Sequence, residues 1–187
     1  IFGCLLGYNK IADEMKDPQL VNLIKQIGYQ EGLPVVTDPG IINPKDFIDT
    51  VIHVRLTNTF MPDTPQRIAT DTSQKLAIRF GETIKAYLES KELESSSLRM
   101  IPLVFAGWIR YLMGVDDSGK KMELSPGPML ETLCPYAEKL ELGSNQDVEK
   151  IIGDILKMDQ IFGVDLYKAG LAEKVCTYLK EMLTGTG

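Results

Sequence analysis

Residues 97–113 read SLRMIPLVFAGWIRYLM and form the most hydrophobic segment of the 187-residue sequence. A run this apolar is typical of a helix buried in the centre of a domain. Pro102 must lie in the first turn of that helix or kink it, because proline has no N–H for the helix interior. The segment therefore predicts a central helix against which other helices pack.

The sequence on either side of this segment also follows a helical period. Asp17-Pro18 and Asn43-Pro44 each combine a good N-cap residue with a proline suited to the first helical position. Asp71 and Gln74 form a variant of the capping box, which predicts a further helix start. Apolar residues spaced three or four apart predict additional helices over residues 18–31, 128–140, 145–158 and 165–184.

No βαβ pattern, no glycine-rich turn between a strand and a helix, and no internal repeat is found in the sequence. A parallel sheet that binds a dinucleotide is therefore not expected within it. The prediction is an all-α fold in which residues 1–187 form a single domain. A chain of this length can bury a core without disulfides or structural metals.

Composition narrows the classes of function. Hydrophobic residues make up 44% of the chain and charged residues 25%, which are the values of an ordinary globular domain. The net charge is −6 and the basic residues are dispersed, so nucleic acid is not an expected partner. Cys4, Cys134 and Cys176 are widely spaced and match neither a disulfide framework nor a zinc site. They predict a cytoplasmic protein without a metal.

The first eight residues, IFGCLLGY, are apolar. The run is far shorter than the ~20 residues of a membrane-spanning helix, and no charged region precedes it as in a signal peptide. A membrane is therefore not an expected partner. Because the sequence starts without methionine inside an apolar run, we expect that a longer protein has been trimmed here.

Three apparent motifs are better explained as ordinary structure. Residues 114–120 imitate a phosphate-binding loop, but Lys121 stands where a Ser or Thr hydroxyl is needed for magnesium. Residues 116–118 resemble part of a calcium loop that lacks its closing glutamate. His53, the single histidine, is interpreted as a packed or capping residue rather than a catalytic one.

A cluster of cations lies between residues 54 and 75. Arg55, Arg67 and Lys75 are accompanied by the polar residues Asn58 and Asp71. Arginine grips a carboxylate with two parallel N–H groups, and asparagine and lysine bond to sugar hydroxyls, so the cluster suits a polyhydroxylated or carboxylated ligand. The alternative is a solvated or salt-bridged helix surface. A continuous helix would put Arg67, Asp71 and Lys75 on one face, whereas a new helix at Asp71 would put Lys75 one turn inside it.

This stretch resembles the polyol-specific long-chain dehydrogenase/reductase family, which includes mannitol dehydrogenase, fructuronate reductase and tagaturonate reductase. The family pattern R-[FY]-x-N appears here as Arg55-Leu-Thr-Asn58, and I-A-x-D-x-S-x-K appears as residues 68–75 after Arg67. Leu56 replaces the usual aromatic residue and Thr59 stands where proline is common, so the pocket wall is expected to differ there.

Three further segments resemble the same family in the same order. Residues 4–15, CLLGYNKIADEM, are similar to the helix YLAGYxxVxEAM. Residues 106–117, AGWIRYLMGVDD, are similar to AGWMRYxxGVDE of the fructuronate reductases, and residues 160–165 are similar to IFGxDL. The resemblance thus runs through most of the chain.

The resemblance implies a two-domain NAD-dependent oxidoreductase of which this chain is the helical, substrate-binding C-terminal half. The N-terminal Rossmann-like half would be the partner of this chain and would bind NAD. The family's catalytic lysine, asparagine and histidine belong to a K-x4-N-x2-H motif that would precede residue 1. No catalytic or cofactor-binding residue is therefore expected within this sequence, and the fragment alone is expected to be inactive.

The resemblance also implies where a sugar acid or polyol would bind. Arg67 and Lys75 would contact the hydroxyls or the carboxylate distal to the reacting carbon, and Arg55 and Asn58 would contact the substrate or brace the pocket. The favoured reaction is reduction of D-fructuronate to D-mannonate, with mannitol 2-dehydrogenase and tagaturonate reductase as alternatives. An alternative of another class is a non-catalytic helical interaction domain. In that case the cations would be dispersed over a convex surface instead of converging on a pocket beside the N-terminus.

Overall fold

A computed structural model describes residues 1–185 of the chain. Those residues form helices and turns without a β-strand, and their single pairing of extended backbone is an antiparallel bridge between Val115 and Lys121. The prediction of an all-α fold is confirmed. None of the helices within residues 1–185 combines the length and the apolar character needed to cross a membrane.

The described residues contain twelve α-helices that follow one another along the chain. Their bounds are α1 Phe2–Leu5, α2 Ile11–Glu14, α3 Pro18–Lys25, α4 Pro44–Thr50, α5 Pro65–Ile68, α6 Thr72–Leu76, α7 Glu82–Glu89, α8 Met100–Tyr111, α9 Leu130–Ala137, α10 Val148–Leu156, α11 Asp159–Phe162 and α12 Ala172–Thr184.

Three of these helices widen into π-helical turns at their carboxyl ends. The turns are Gln26–Gly32 after α3, Val51–Arg55 after α4 and Ala77–Gly81 between α6 and α7. Short 3-10 helices follow at Leu33–Val35 and Ser95–Ser97. The helix predicted over residues 18–31 therefore consists of α3 and its π-helical extension.

Two of the predicted helix starts are confirmed by their capping bonds. The Asp17 carboxylate accepts hydrogen bonds from the Gln19 and Leu20 N–H groups, 2.8 and 3.4 Å away. Asn43 Oδ1 accepts from the Lys45 N–H at 2.9 Å at the start of α4. Each side chain satisfies N–H groups that a first helical turn leaves without partners.

The side-chain cap predicted at Asp71 is wrong. Asp71 stands directly before α6, but its backbone is left-handed, with φ 56° and ψ 31°, and its side chain makes no capping hydrogen bond. Its own N–H donates instead to the Pro126 carbonyl oxygen at 2.8 Å. The chain therefore turns sharply between α5 and α6, and Lys75 lies one turn inside the new helix.

The core is built around α8, which confirms the central helix predicted over residues 97–113. α8 packs along α12, and its Phe105 and Trp108 side chains both contact the Phe162 ring, with centroids 4.7 and 5.9 Å apart. Phe105, Trp108 and Phe162 are almost completely buried. Aromatic pairs in these tilted and edge-to-face geometries add to the free energy gained by burial.

The amino end of α8 is closed by a distant carboxylate. Glu31 is buried and accepts hydrogen bonds from the N–H groups of Arg99, Met100 and Ile101 at 2.6, 2.7 and 2.8 Å. Pro102, as predicted, lies in the first turn and has no N–H to satisfy. The first turn of α8 thus has its N–H donors paired.

Candidate functional site

Two of the segments that carry the family resemblance lie side by side. The Ile11 N–H at the start of α2 donates to the Asp63 carbonyl oxygen at 3.1 Å, just before α5. The Gln66 side-chain amide donates to the Tyr8 carbonyl oxygen at 3.4 Å. These bonds fix the region between α1 and α2 against the region that contains the predicted site residues.

A small cavity of about 100 Å³ opens between these two segments. Its wall is formed by Ile11, Ala12, Arg55, Leu56, Asn58, Met61, Asp63 and Ile68. Two of the four predicted substrate-binding residues, Arg55 and Asn58, therefore line one cavity. The same wall contains Asp63, a carboxylate that the sequence analysis did not identify as a site residue.

Arg55 ends the π-helical turn that follows α4. Its guanidinium lies over the Phe47 ring, 6.0 Å from the ring centroid, and has no ion-pair partner within residues 1–185. Asn58 is exposed, and its Oδ1 accepts a hydrogen bond from the Phe60 N–H at 3.0 Å. The asparagine amide N–H groups and the arginine N–H groups remain able to donate to a ligand.

Arg67 lies in the short helix α5, which is capped by Thr64. The Thr64 hydroxyl oxygen accepts from the Arg67 N–H at 3.1 Å. The Arg67 side chain binds Asp63 Oδ1 through both Nε, at 2.8 Å, and Nη2. Arg67 is not part of the cavity wall, but the carboxylate that holds it is.

Lys75 reaches the same region from α6. Its Nζ donates to the Ile68 carbonyl oxygen at 2.9 Å, and Ile68 is also part of the cavity wall. Arg67 and Lys75 thus each contact a wall residue without lining the cavity themselves. Their predicted convergence on a ligand stays a prediction, as does substrate binding by all four residues.

Glu14, at the end of α2, is a second polar residue that the sequence analysis did not single out. Its Oε1 is buried and has no hydrogen-bond partner within residues 1–185. Burial raises the pKa of this carboxyl group. An unpaired buried acceptor costs free energy, so the Glu14 carboxylate is less well hydrogen-bonded than the Glu31 carboxylate at the amino end of α8.

A larger, apolar groove lies elsewhere on the surface, with a volume of about 500 Å³. It shares no wall residue with the small cavity, and its only charged wall residue is Arg79. Phe47 lines this groove and also lies under the Arg55 guanidinium, so the two concave regions are neighbours. None of the four predicted site residues lines the groove.

Comparison with known proteins agrees with the helical fold and with the motifs. The sequence profile of the mannitol dehydrogenase C-terminal domain matches residues 1–183. The chain belongs to this family. The family profile extends from α1 to all but the last residue of α12.

Relatives within the mannitol dehydrogenase family are oxidoreductases. The chain is 57% identical over 185 residues to a D-mannonate oxidoreductase of Thermotoga maritima. This alignment covers 99% of this chain and 34% of that protein. It is 29% identical over 171 residues to a mannitol 2-dehydrogenase of Aspergillus clavatus, covering 89% of this chain and 32% of the relative. The chain thus spans about a third of the length of these relatives.

A solved structure shows the same fold. The mannitol 2-dehydrogenase of Pseudomonas fluorescens, in a ternary complex with NAD and D-mannitol, superposes with a TM-score of 0.81 at 21% identity. The match covers 99% of this chain and 35% of the other. This chain therefore shares its helical arrangement with that structure at low sequence identity.

Proposed function

We propose that this chain is the substrate-binding domain of an NAD-dependent oxidoreductase that reduces a keto-sugar acid, with D-fructuronate to D-mannonate as the reaction. The observation that carries the proposal is the 57% identity, along nearly the whole chain, to a D-mannonate oxidoreductase. The mannitol 2-dehydrogenases among the relatives are only 27–29% identical. Mannitol 2-dehydrogenase activity is therefore the weaker alternative.

The residues described here do not fit NAD. A dinucleotide site needs a parallel sheet and a glycine-rich turn that presents a helix N-terminus to the pyrophosphate. Residues 1–185 contain no strand, and their helices are joined without such a turn. NAD and the hydride-transfer step would therefore belong to the remaining two thirds of the enzyme, which would also be the partner of this domain.

The proposed role of this chain is to hold the end of the substrate that does not react. Arg67 and Lys75 would donate hydrogen bonds to its hydroxyls or carboxylate, because charged donors bind these groups strongly. Arg55 and Asn58 would bind or brace the same ligand, and their place in the cavity wall supports this role.

The cysteines of the described residues are free, which supports a location in the reducing cytoplasm.

NADH oxidation by the full-length enzyme tests the proposal, with D-fructuronate, D-tagaturonate and D-fructose offered separately. We expect D-fructuronate to be reduced with the highest kcat/KM. Replacing Lys75 by alanine removes one charge-assisted hydrogen bond, so kcat/KM is expected to fall by roughly 10-fold to 150-fold.

Lys85→Ala is the matched control, since Lys85 forms an exposed ion pair with Glu82 on α7. It is expected to leave kcat/KM within about twofold of wild type. A preference for D-fructose would move the assignment to mannitol 2-dehydrogenase. Absence of NADH oxidation with all three sugars would contradict the enzyme proposal and favour a helical interaction domain.

A further inference from the structure

The ion pair between Asp63 and Arg67 differs from the other short-range ion pairs of the described residues. In the four other pairs with partners three or four residues apart, the acidic side chain is at least 41% exposed. The Asp63 side chain is only 14% exposed, whereas its partner Arg67 is 69% exposed. A largely buried carboxylate that holds an exposed guanidinium differs from an ordinary surface pair, in which both side chains are exposed to solvent.

The carboxylate of Asp63 is held in place from its own backbone. The Asp63 carbonyl oxygen accepts the Ile11 N–H, which links it to α2, and the next residue, Thr64, caps α5. Asp63 is also part of the wall of the small cavity together with Arg55 and Asn58. Its carboxylate therefore has a defined position between the two segments that form the candidate site.

The contacts of Arg67 occupy one particular edge of its guanidinium. Nε and Nη2 both donate to Asp63 Oδ1, so the side-on edge of the group is used. A guanidinium carries five N–H donors, and the end-on edge formed by Nη1 and the second N–H of Nη2 is left over. The end-on edge donates no hydrogen bond to any of residues 1–185. It is a planar fork that matches a carboxylate or two neighbouring hydroxyls.

We propose that Asp63 is a positioning residue for the substrate, acting through Arg67. It fixes the side-on edge of the guanidinium and thereby aims the end-on edge at the ligand. The inference rests on the proposed function, because it assumes that Arg67 binds substrate. Without the anchor, the long arginine side chain would have to give up its rotamer freedom each time a ligand binds, and affinity would fall.

A double-mutant cycle in the full-length enzyme tests this inference, using the KM for D-fructuronate and kcat from NADH oxidation. Asp63→Asn keeps the shape of the side chain but removes its charge, and we expect KM to rise about 10-fold with kcat within about threefold. In the Arg67→Ala background the same Asp63→Asn change is expected to alter KM by less than about twofold, because its effect passes through the guanidinium.

Added guanidinium ion supplies a second readout that a purely structural residue would not affect. It is expected to lower the KM of Arg67→Ala while Asp63 is present, and to have no effect in the double variant, which lacks the anchoring carboxylate. Asp154→Asn is the matched control, since Asp154 forms an exposed ion pair with Lys157 on α10. This control is expected to leave KM and kcat unchanged.

The results separate the inference from the proposed function. If the wild-type enzyme reduces D-fructuronate but Asp63→Asn leaves KM unchanged, the positioning role is overturned and the proposed function stands. A 10-fold rise in KM that persists in the Arg67→Ala background would also overturn it, because Asp63 would then act without the guanidinium. If Asp63→Asn lowers the yield of folded enzyme, guanidinium rescue of the Arg67→Ala variant, which retains Asp63, still decides the question.

Discussion

α8 and residues 51–68 are held in the structure in two different ways. α8 buries nine of its twelve residues. Between residues 51 and 68 only Ile52 and Pro65 are buried, and the segment is fixed by polar contacts such as those of Asp63. Apolar burial thus builds the scaffold, while a few specific hydrogen bonds place the side chains of the candidate site.

This contrast predicts which property each region controls. Substitutions in α8 are expected to change the free energy of unfolding, because close-packed interiors lose contacts that cannot be replaced. Substitutions at exposed polar residues of 51–68 are expected to change ligand binding with little effect on unfolding.

Phe105→Ala is expected to have the largest effect on stability. The Phe105 ring is fully buried and contacts both Phe80 and Phe162. Truncating it leaves a cavity, so the free energy of unfolding is expected to fall by about 3–5 kcal/mol. Urea unfolding followed by circular dichroism measures the change.

Ile78→Ala is the matched control, since Ile78 is an apolar residue that is 72% exposed. It is expected to change the free energy of unfolding by less than about 0.5 kcal/mol. Equal losses at the two positions would show that burial in α8 does not set the size of the effect.

Glu31→Gln tests the polar contact on which α8 itself depends. The wild-type carboxylate accepts three backbone N–H groups at the start of the helix. An amide offers one acceptor oxygen and turns an NH₂ group towards N–H donors, so the free energy of unfolding is expected to fall by about 1–3 kcal/mol. Glu82→Gln, at an exposed position on α7, is the control and is expected to have almost no effect. A loss below about 0.5 kcal/mol at Glu31 would mean that α8 is stabilised by apolar packing alone.

The features that could be predicted from sequence are local ones. The period of residues 97–113 and the caps at Asp17 and Asn43 depend on neighbours within one or two helical turns, and the structure confirms them. The family resemblance, carried by motifs spread along the chain, is confirmed by the profile that matches residues 1–183. The all-α fold class followed from the same signals.

The features that could not be predicted depend on contacts between distant residues or on the backbone. Glu31 caps a helix that starts about 70 residues later, and no sequence pattern links the two. Asp71 is a residue type that favours the N-cap position, but its left-handed backbone prevents the capping bond. Asp63 precedes Arg67 by four residues, an ordinary spacing, and only its low exposure distinguishes it from surface acids. The candidate site is therefore less predictable than the core because polar contacts between separate helices define it.

Glu14→Gln is expected to have the smallest effect, and its sign depends on pH. Burial raises the pKa of Glu14 above its ordinary value of 4.5, so the folded chain holds this proton to a higher pH than the unfolded chain does. The contribution of Glu14 to stability is therefore fully present below about pH 4.5 and is lost as the pH rises through the folded pKa. The neutral amide avoids this loss. At pH 7 the variant is expected to be more stable by on the order of 1 kcal/mol, because the wild type buries an unpaired charged oxygen.

The difference between Glu14→Gln and wild type should shrink to nearly nothing at pH 4, where both side chains are neutral. Thermal unfolding of the two proteins at pH 4, 5.5 and 7 measures this, with Glu131→Gln, at an exposed position on α9, as the control. A variant that is less stable than wild type at pH 7 would show that the Glu14 carboxylate has a partner. The Glu14 carboxylate would then be as fully hydrogen-bonded as the Glu31 carboxylate at the amino end of α8.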